Sequence, residues 1–513
     1  MDEKQRRRQN SISLMAVATV SKLIGMFREV ALARCWGTTN VSDAYLIASA
    51  IPTILFYFIG HALTTAYLPM YNKVRSERGE KDALAYSNCL LTYSLILGII
   101  IVSCLLLFPT TIVKVFAAGF DDETVNLTSL LITISAVSLL LMIVISVLSG
   151  FLQAHGRFVL PAFVSIPRNI ALILSIFLSV RFSPLVLGIG ILCAYAAEFL
   201  LLSVGSSRHE YHFRFSFHYE RAVMNDTIRV VIPIFVGVGV GQINKVIDRS
   251  VATTVISGGV SALTYASIIN TAVQEILVTG IITILFANCS RWVSEDKHEL
   301  VKTRLCDTIC TLVFVLIPGM CGIILLGVPI VKCILARGVF DAESVKLTSE
   351  ALCCYAVGLP FLAFRDTFVK VFYAYRDTKF PTIVSSISIV INILLNLLLS
   401  KIWGINGLAI ATSFSAMVNC IALFFGLIRK IGNFGLKEQG IVVTKSAMAS
   451  AIMCIAVLGV RFLLEQSQDI LQLVLCTITG AITYGVFSLI IKNQIAIKWV
   501  NALKSWFSRR TQE

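Results

Sequence analysis

Ser21–Tyr45 reads SKLIGMFREVALARCWGTTNVSDAY, which sets Lys22, Arg28, Glu29 and Arg34 inside an apolar run long enough to enter a bilayer. A cation at the bilayer centre costs at least about 2.5–3.5 kcal/mol on insertion scales, so such residues normally face a bundle interior or a watery cavity and mark a pathway. The reading of this chain turns on whether its other segments enclose such a cavity.

The remaining sequence has the makings of one. The 513 residues are 57% hydrophobic and 14% charged, too little polar surface to wrap a soluble core. Apolar blocks of about 20 to 27 residues recur, matching a helix that crosses about 30 Å of hydrocarbon at 1.5 Å per residue. Barrel-type alternation is absent, so the expected fold class is an all-α polytopic membrane protein. Spans are expected near 11–36, 43–70, 85–108, 126–152, 158–182, 184–206, 227–256, 260–290, 303–327, 345–373, 379–401, 404–430, 442–464 and 469–491, about fourteen in all.

The net charge of +14 follows topology rather than a nucleic-acid patch. With a cytoplasmic N-terminus, 27 of the basic residues fall in inside segments and 7 in outside ones, so the positive-inside rule places both termini in the cytoplasm. The start MDEKQRRRQN leads into a long interrupted apolar stretch and reads as a retained first span. The 14 cysteines include no C-x-x-C pair and no Cys/His cluster at metal spacing, which suits packing residues in a reducing compartment.

An internal repeat organises the spans. FDDETVNLTS at 120–129 recurs as FDAESVKLTS at 340–349, with seven of ten positions identical, and the same offset carries Pro161 onto Pro381. Both copies precede an even-numbered span, so the repeat is parallel and six helices long. Two six-helix lobes follow, 1–206 and 227–430, joined by a linker at 207–226; a helix pair at 442–491 and a basic tail at 492–513 complete the chain. The linker core RHEYHFRFSFHYER reads as an interfacial segment with Tyr and Phe at headgroup level, and His209, His212 and His218 as solvated rather than metal-binding.

Polar residues at membrane depth single out the candidate functional groups. In the seventh span Gln242, Lys245 and Arg249 recur at i, i+3 and i+7 on one helical face, beside the i, i+4 pair Asn244 and Asp248. One acid cannot neutralise two bases, and the surplus cation is the functional hint; the alternative is an internal salt bridge that only fixes packing. Gly237, Gly239 and Gly241 permit a bend or the close approach of another helix. In the first span Lys22 and Glu29 share a face, whereas Arg28 is turned about 120° from Lys22, so all three reach one cavity only if the helix deforms near Gly25. Arg168, after Pro167, is a further candidate; Arg365, Asp366 and Lys370 are weaker ones near a helix end, and Arg34 reads as interfacial. Asn392 and Asn396 form an i, i+4 amide pair that reads first as interhelical glue. There is no Walker A motif, so ATP does not drive transport through this chain, and no arrangement argues for hydrolysis.

Gly25-x-x-Arg28-Glu29 with Ser42-Asp43-Ala44-Tyr45, Gly150-Phe-Leu-Gln-Ala with Arg157-Phe158, Gly241-Gln-Ile-Asn244 with Asp248-Arg249, and Phe372-Tyr-Ala-Tyr-Arg-Asp377 with Gly407-Leu-Ala-Ile-Ala-Thr-Ser413 together resemble the MurJ/MviN lipid II flippases of the multidrug/oligosaccharidyl-lipid/polysaccharide exporter superfamily. The likeness covers essentially the whole chain. It implies a V-shaped pair of lobes around a cationic cavity, alternating access, and movement of undecaprenyl-pyrophosphate-linked precursor from the cytoplasmic to the periplasmic leaflet of the bacterial inner membrane. The last two helices resemble those that form a lipid-tail groove. Arg28, Lys22, Glu29, Lys245, Arg249 and Arg168 are then the expected substrate-binding residues. The same resemblance implies an ion-coupling set of Asp248, Asn392, Asn396, the Leu408 carbonyl and Thr412, with Na+ or membrane potential as driver. No cofactor is expected, and the chain is read as a monomeric transporter, not an enzyme, near cell-wall synthesis enzymes.

Departures from the family pattern are specific. Phe56 and Ile268 stand where family arginines are expected, His61 where a Glu is expected, and Asn396 where a carboxylate is expected. They keep open a different polyprenyl-linked glycan as cargo, or a transport-dead scaffold; a cation-coupled small-molecule exporter is a third alternative, against which the excess of intramembrane cations over acids argues.

Overall fold

The computed structural model describes residues 3–208, 211, 213–217, 219–464 and 468–510, among which there are helices and no strand. In chain order they are α1 (Glu3–Trp36), α2 (Asn40–Phe56), α3 (Ala62–Arg78), α4 (Glu80–Leu107), α5 (Pro109–Phe116), α6 (Asp122–Ser135), α7 (Ser138–Ala154), α8 (Val159–Phe163), α9 (Ser165–Arg181) and α10 (Val186–Ser207). There follow α11 (Arg221–Val255), α12 (Gly259–Gln274), α13 (Gly280–Ser294), α14 (His298–Leu335), α15 (Ala342–Ala374), α16 (Lys379–Ile431), α17 (Leu436–Leu463), α18 (Asp469–Ile490) and α19 (Gln494–Arg510). Among the described residues nine helices are long and apolar enough to cross a membrane, or ten if the bent pair α6 and α7 counts as one span.

Several expected spans are composite. A π-helical turn at Tyr57–His61 joins α2 to α3, and another at Glu275–Thr279 joins α12 to α13. Such single π turns recur at functional sites in helices. α6 and α7 meet at 43°. The two spans expected at 379–401 and 404–430 lie within the single assignment α16, broken at Gly404 with φ 58° and ψ −134°. Glycine reaches that backbone region readily and other residues do not. Close by, a Cβ on Gly407 would stand 2.1 Å from the Leu399 carbonyl oxygen, so the turn closes too tightly for any side chain there.

The repeated segments begin and end helices in the same way. Asp121 and Asp341, both extended, precede α6 and α15, and the Asp341 carboxylate accepts from the Ser344 N–H at 2.9 Å. At the other end, Arg157 N–H donates to Leu152 O (2.8 Å) and Gly156 N–H to Gln153 O (2.9 Å), while Asp377 N–H donates to Phe372 O (3.0 Å) and Arg376 N–H to Tyr373 O (2.9 Å). Both are Schellman helix ends, with Gly156 and Arg376 in the left-handed conformation.

The chain forms two compact units, Met1–Ser261 with Arg337–Phe340, and Ala262–Ala336 with Asp341–Glu513. In the first, Tyr67 stacks between Tyr71 and Tyr86 at 5.4 and 6.4 Å, all three fully buried between α3 and α4. The Tyr93 hydroxyl donates to Phe217 O (3.0 Å) and the Ser216 N–H donates to Thr92 Oγ1 (3.1 Å), which straps the extended linker onto α4. The linker histidines His209, His212 and His218 lie outside the described residues. In the second unit, α14, α15, α17 and α18 pack on a core that includes Leu305, Phe372, Leu423 and Tyr484, whose hydroxyl donates to Phe314 O at 2.7 Å.

The loop between α15 and α16 carries a pH-sensitive tie. The Lys430 ammonium donates to the Asp377 carboxylate at 2.5 Å and the Phe380 N–H does so at 3.2 Å, and these hold the Asp377 carboxyl below the ordinary aspartate range. A carboxyl depressed in the folded state contributes stability above its unfolded pKa and loses it as pH falls through the folded value. Asp377→Asn should therefore lower the detergent-phase melting temperature at neutral pH, and the gap to the parent protein should close below about pH 4, the range where an ordinary aspartate protonates; melting curves across pH check this.

Candidate functional site

All six expected substrate-binding residues lie in the first unit. α1 stays regular rather than deforming near Gly25. It lies along α9 through a seam with roughly seven-residue spacing: the hydroxyls of Ser21 and Ser165 share a hydrogen bond, Arg28 Nη1 donates to Asn169 Oδ1 (3.1 Å), and Trp36 Nε1 donates to Ser179 Oγ (2.9 Å). Gly25 sits between, with space for a Cβ 3.8 Å from Asn169.

Arg28 folds back onto its own neighbour. Its Nε donates to Glu29 Oε1 at 3.2 Å and its Nη2 to the same oxygen, so the guanidinium is held edge-on between α1 and α9. Glu29 is buried, and its second oxygen has no hydrogen-bond partner among the described residues. Tyr45 and Tyr195 lie within electrostatic range of Arg28. Lys22 is exposed, two turns away on the same helix.

Arg168 has a partner that sequence reasoning missed. Its Nη1 donates to Glu198 Oε2 at 3.0 Å, and its guanidinium lies 5.7 Å from the Tyr195 ring centroid. Glu198 is 6% exposed, which makes it the buried half of the pair. As the sole acid in α10 it carried a signal: an intramembrane carboxylate needs a named partner. Asn169 gave a weaker one, a polar residue next to a cation in an apolar helix.

α11 runs unbroken past its glycines, and Gly239 serves close approach: a Cβ there would meet the Phe58 ring at 2.9 Å. Asp248 accepts from Asn244 Nδ2 (3.1 Å), the i, i+4 pair seen in the sequence. Arg249 Nη1 donates to the Leu46 carbonyl of α2 at 3.2 Å, and the Lys245 ammonium lies 5.8 Å from the Tyr57 ring centroid. Neither cation closes an ion pair among the described residues, although Glu29 and Asp248 act on Arg249 from farther off, and Lys245 and Arg249 repel each other. Gln242, also on this helix, is buried with its Oε1 unpartnered among the described residues. Five cations, Lys22, Arg28, Arg168, Lys245 and Arg249, thus stand against three carboxylates, Glu29, Glu198 and Asp248. These residues carry an excess of positive charge.

The other expectations sort as follows. Of the ion-coupling set, Asp248 belongs to the first unit and the remaining four to the second. There, Asn396 Nδ2 donates to Asn392 Oδ1 (3.1 Å), Asn392 Nδ2 to Ser415 Oγ (3.2 Å) and the Thr412 hydroxyl to the Leu408 carbonyl (3.1 Å). These four offer neutral oxygens only, and the one acid of the set, Asp248, lies in the first unit. Phe56 packs edge-on against Tyr57 at 6.3 Å and Ile268 is half-buried, so neither site carries a charge. Arg365 pairs with Asp366 at 2.7 Å, Gln274 also donates to Asp366 (3.0 Å), and Lys370 stands 5.2 Å from the Phe286 ring centroid. Arg34 is exposed.

The described residues form a multi-span, all-helical membrane protein with a polar site rich in cations. A solved multidrug-resistance MATE transporter of the MOP superfamily in an inward-facing conformation superposes with a TM-score of 0.68 over 82% of this chain and 98% of that one, at 15% identity, which speaks to fold alone. The family profile described as Lipid II flippase MurJ matches residues 32–478, and the chain belongs to that family. The Lipid II flippase MurJ of Thermosipho africanus is 28% identical over 494 residues, 96% of this chain and 98% of that protein. The probable lipid II flippase MurJ of Thermotoga maritima is 26% identical over 475 residues, 92% and 94% of the two. A solved lipid II flippase MurJ in an inward closed conformation superposes with a TM-score of 0.82 at 25% identity, covering 94% of this chain and 99% of that one.

The Arg168–Glu198 pair yields a test of buried-charge energetics. Removing one partner of a buried pair strands the other charge and costs about 3 kcal/mol or more, whereas removing both is far milder. Arg168→Ala should therefore melt lower than the double variant Arg168→Ala/Glu198→Ala in detergent, and a double variant equal to the sum of two single losses would contradict the pairing.

Proposed function

We propose that this chain flips lipid II, the undecaprenyl-pyrophosphate-linked peptidoglycan precursor, from the cytoplasmic to the periplasmic leaflet of the bacterial inner membrane. The observation that carries the reading is the Lys245 and Arg249 pair, two cations about one helical turn apart with no ion-pair partner among the described residues. A pyrophosphate is a compact polyanion that satisfies both at once by charge-assisted hydrogen bonds. Arg28, oriented by Glu29 and Asn169, supplies a third contact, and Lys22 and Arg168 flank it. Membership of the lipid II flippase family supports the cargo.

The excess of basic residues in inside segments supports cytoplasmic termini. The two-lobe division at 1–206 and 227–430, with alternating access between lobes, is the mechanism that the superfamily fold supports. As driver, membrane potential fits better than Na+, because Asn396 lacks a carboxylate and the asparagines bond to one another. A transporter needs no cofactor for this work, and a monomer near cell-wall synthesis enzymes is sufficient. The apolar residues Phe56 and Ile268 favour one second reading, a flippase for another polyprenyl-linked glycan.

Arg28→Ala and Arg249→Ala, in a strain depleted of its own flippase, should each reduce lipid II exposed on the outer leaflet about tenfold or more, the loss of one charge-assisted contact. Unchanged exposure in both variants would sink the cationic-site mechanism. Failure of the parent protein to complement would assign it a different glycan cargo.

A further inference from the structure

A cavity in the first unit has none of the cationic cluster's residues on its lining. It encloses about 700 Å³ between α4 and α11, roofed by linker residues Phe217 and Tyr219. That volume falls within the range of small-molecule and cofactor sites. Its α11 wall uses positions 224, 225, 228, 231 and 235, one helical face about 16 Å long at 1.5 Å per residue. Leu90, Tyr93 and Leu97 line the α4 wall, and Phe58 stacks on Phe235 at 5.6 Å to close the far end. Tyr93 and Ile228 at the mouth are about half exposed, so the trough opens sideways.

The polar side chains of the lining are Tyr93, Ser94, Tyr219 and Asn225. The Tyr219 hydroxyl is buried without a hydrogen-bond partner, and its ring stands 5.7 Å from Tyr86. Asn225 also lines the cavity. Arg78, Glu220 and Asp82 lie within electrostatic range of Tyr219, with Arg78 bonded to Glu220. The trough, about 16 Å long, reaches a phenol that has a guanidinium and two carboxylates within electrostatic range. A lipid with an acyl chain, a phosphate for Arg78 and Tyr219 and an amine for the carboxylates matches that sequence of groups.

We infer that the α4–α11 trough binds the acyl chain of one aminophospholipid, phosphatidylethanolamine, whose headgroup seats on Tyr219, Arg78 and the carboxylates of Glu220 and Asp82. This rests on the membrane orientation proposed above, which puts the linker at the cytoplasmic headgroup level. The bound lipid ties the linker and the start of α11 to α4.

The test places the full-length protein in phosphatidylcholine nanodiscs doped with diazirine-tailed phosphatidylethanolamine or phosphatidylglycerol, followed by light and peptide mass spectrometry. The ethanolamine probe should label the 86–97 and 224–235 segments above the lipid-facing surface of α18. Leu97→Trp with Ile228→Trp, which fills the trough, should cut that labelling about tenfold while α18 labelling stays unchanged and so reports an intact fold. Tyr219→Phe should weaken the preference for ethanolamine. Labelling no greater than at α18, or unaffected by filling, would overturn the site. Preference for the glycerol probe would overturn the headgroup assignment, and displacement by undecaprenyl phosphate but not by phosphatidylethanolamine would overturn the choice of lipid. Labelling is read without transport, so failure of the flipping assay leaves this readout intact.

Discussion

Charge inside a bilayer must be compensated or used, and the first unit depends on how that demand is met. Arg168 is compensated: Glu198 lies behind it at 3.0 Å, almost wholly buried. Arg28 is compensated and aimed, since Glu29 and Asn169 fix its guanidinium between α1 and α9. Arg249 is aimed by the Leu46 carbonyl, but neither it nor Lys245 closes an ion pair among the described residues, and the two repel each other. This graded arrangement separates cations held in ion pairs from those that close none among the described residues, which a count of cations does not.

Much of the fold was legible because its signals are coarse. Apolar blocks of membrane length and an exact offset between two polar segments survive any detail of packing, and helix covers the stretches they mark. The repeat proved more than a resemblance of letters, since the same Schellman geometry closes helices at 152–157 and 372–377. Breaks inside helices were less legible. The π turns at Tyr57–His61 and Glu275–Thr279 interrupt apolar runs with no proline to mark them. Gly404 offered a local cue, yet only the backbone shows the break falling there.

At the site, residue types were legible and pairings were not. Asn244 and Asp248 meet as an i, i+4 pair because one helix dictates it. Arg28 with Asn169, and Arg168 with Glu198, join residues 141 and 30 positions apart, set by how α9 and α10 pack in the unit. The expectation that α1 must deform assumed that Arg28 had to reach around the helix. A long flexible side chain instead turns back onto Glu29, and the backbone stays regular. The amides Asn392 and Asn396 bond to each other within one helix, and the interhelical contact of the blander reading is the one from Asn392 to Ser415 across the Gly404 break.

The contact between Arg249 and the Leu46 carbonyl has a kinetic meaning. A neutral carbonyl is a weak acceptor for a guanidinium, strong enough to park it in a defined rotamer and too weak to compete with a phosphate oxygen. A carboxylate in that place would have to be displaced, and its own stranded charge would resist the exchange. On the proposed function Leu46 would serve as a placeholder: the arginine would meet a phosphate already positioned, give up its temporary partner at little cost and return to it after release, which favours turnover over tight retention.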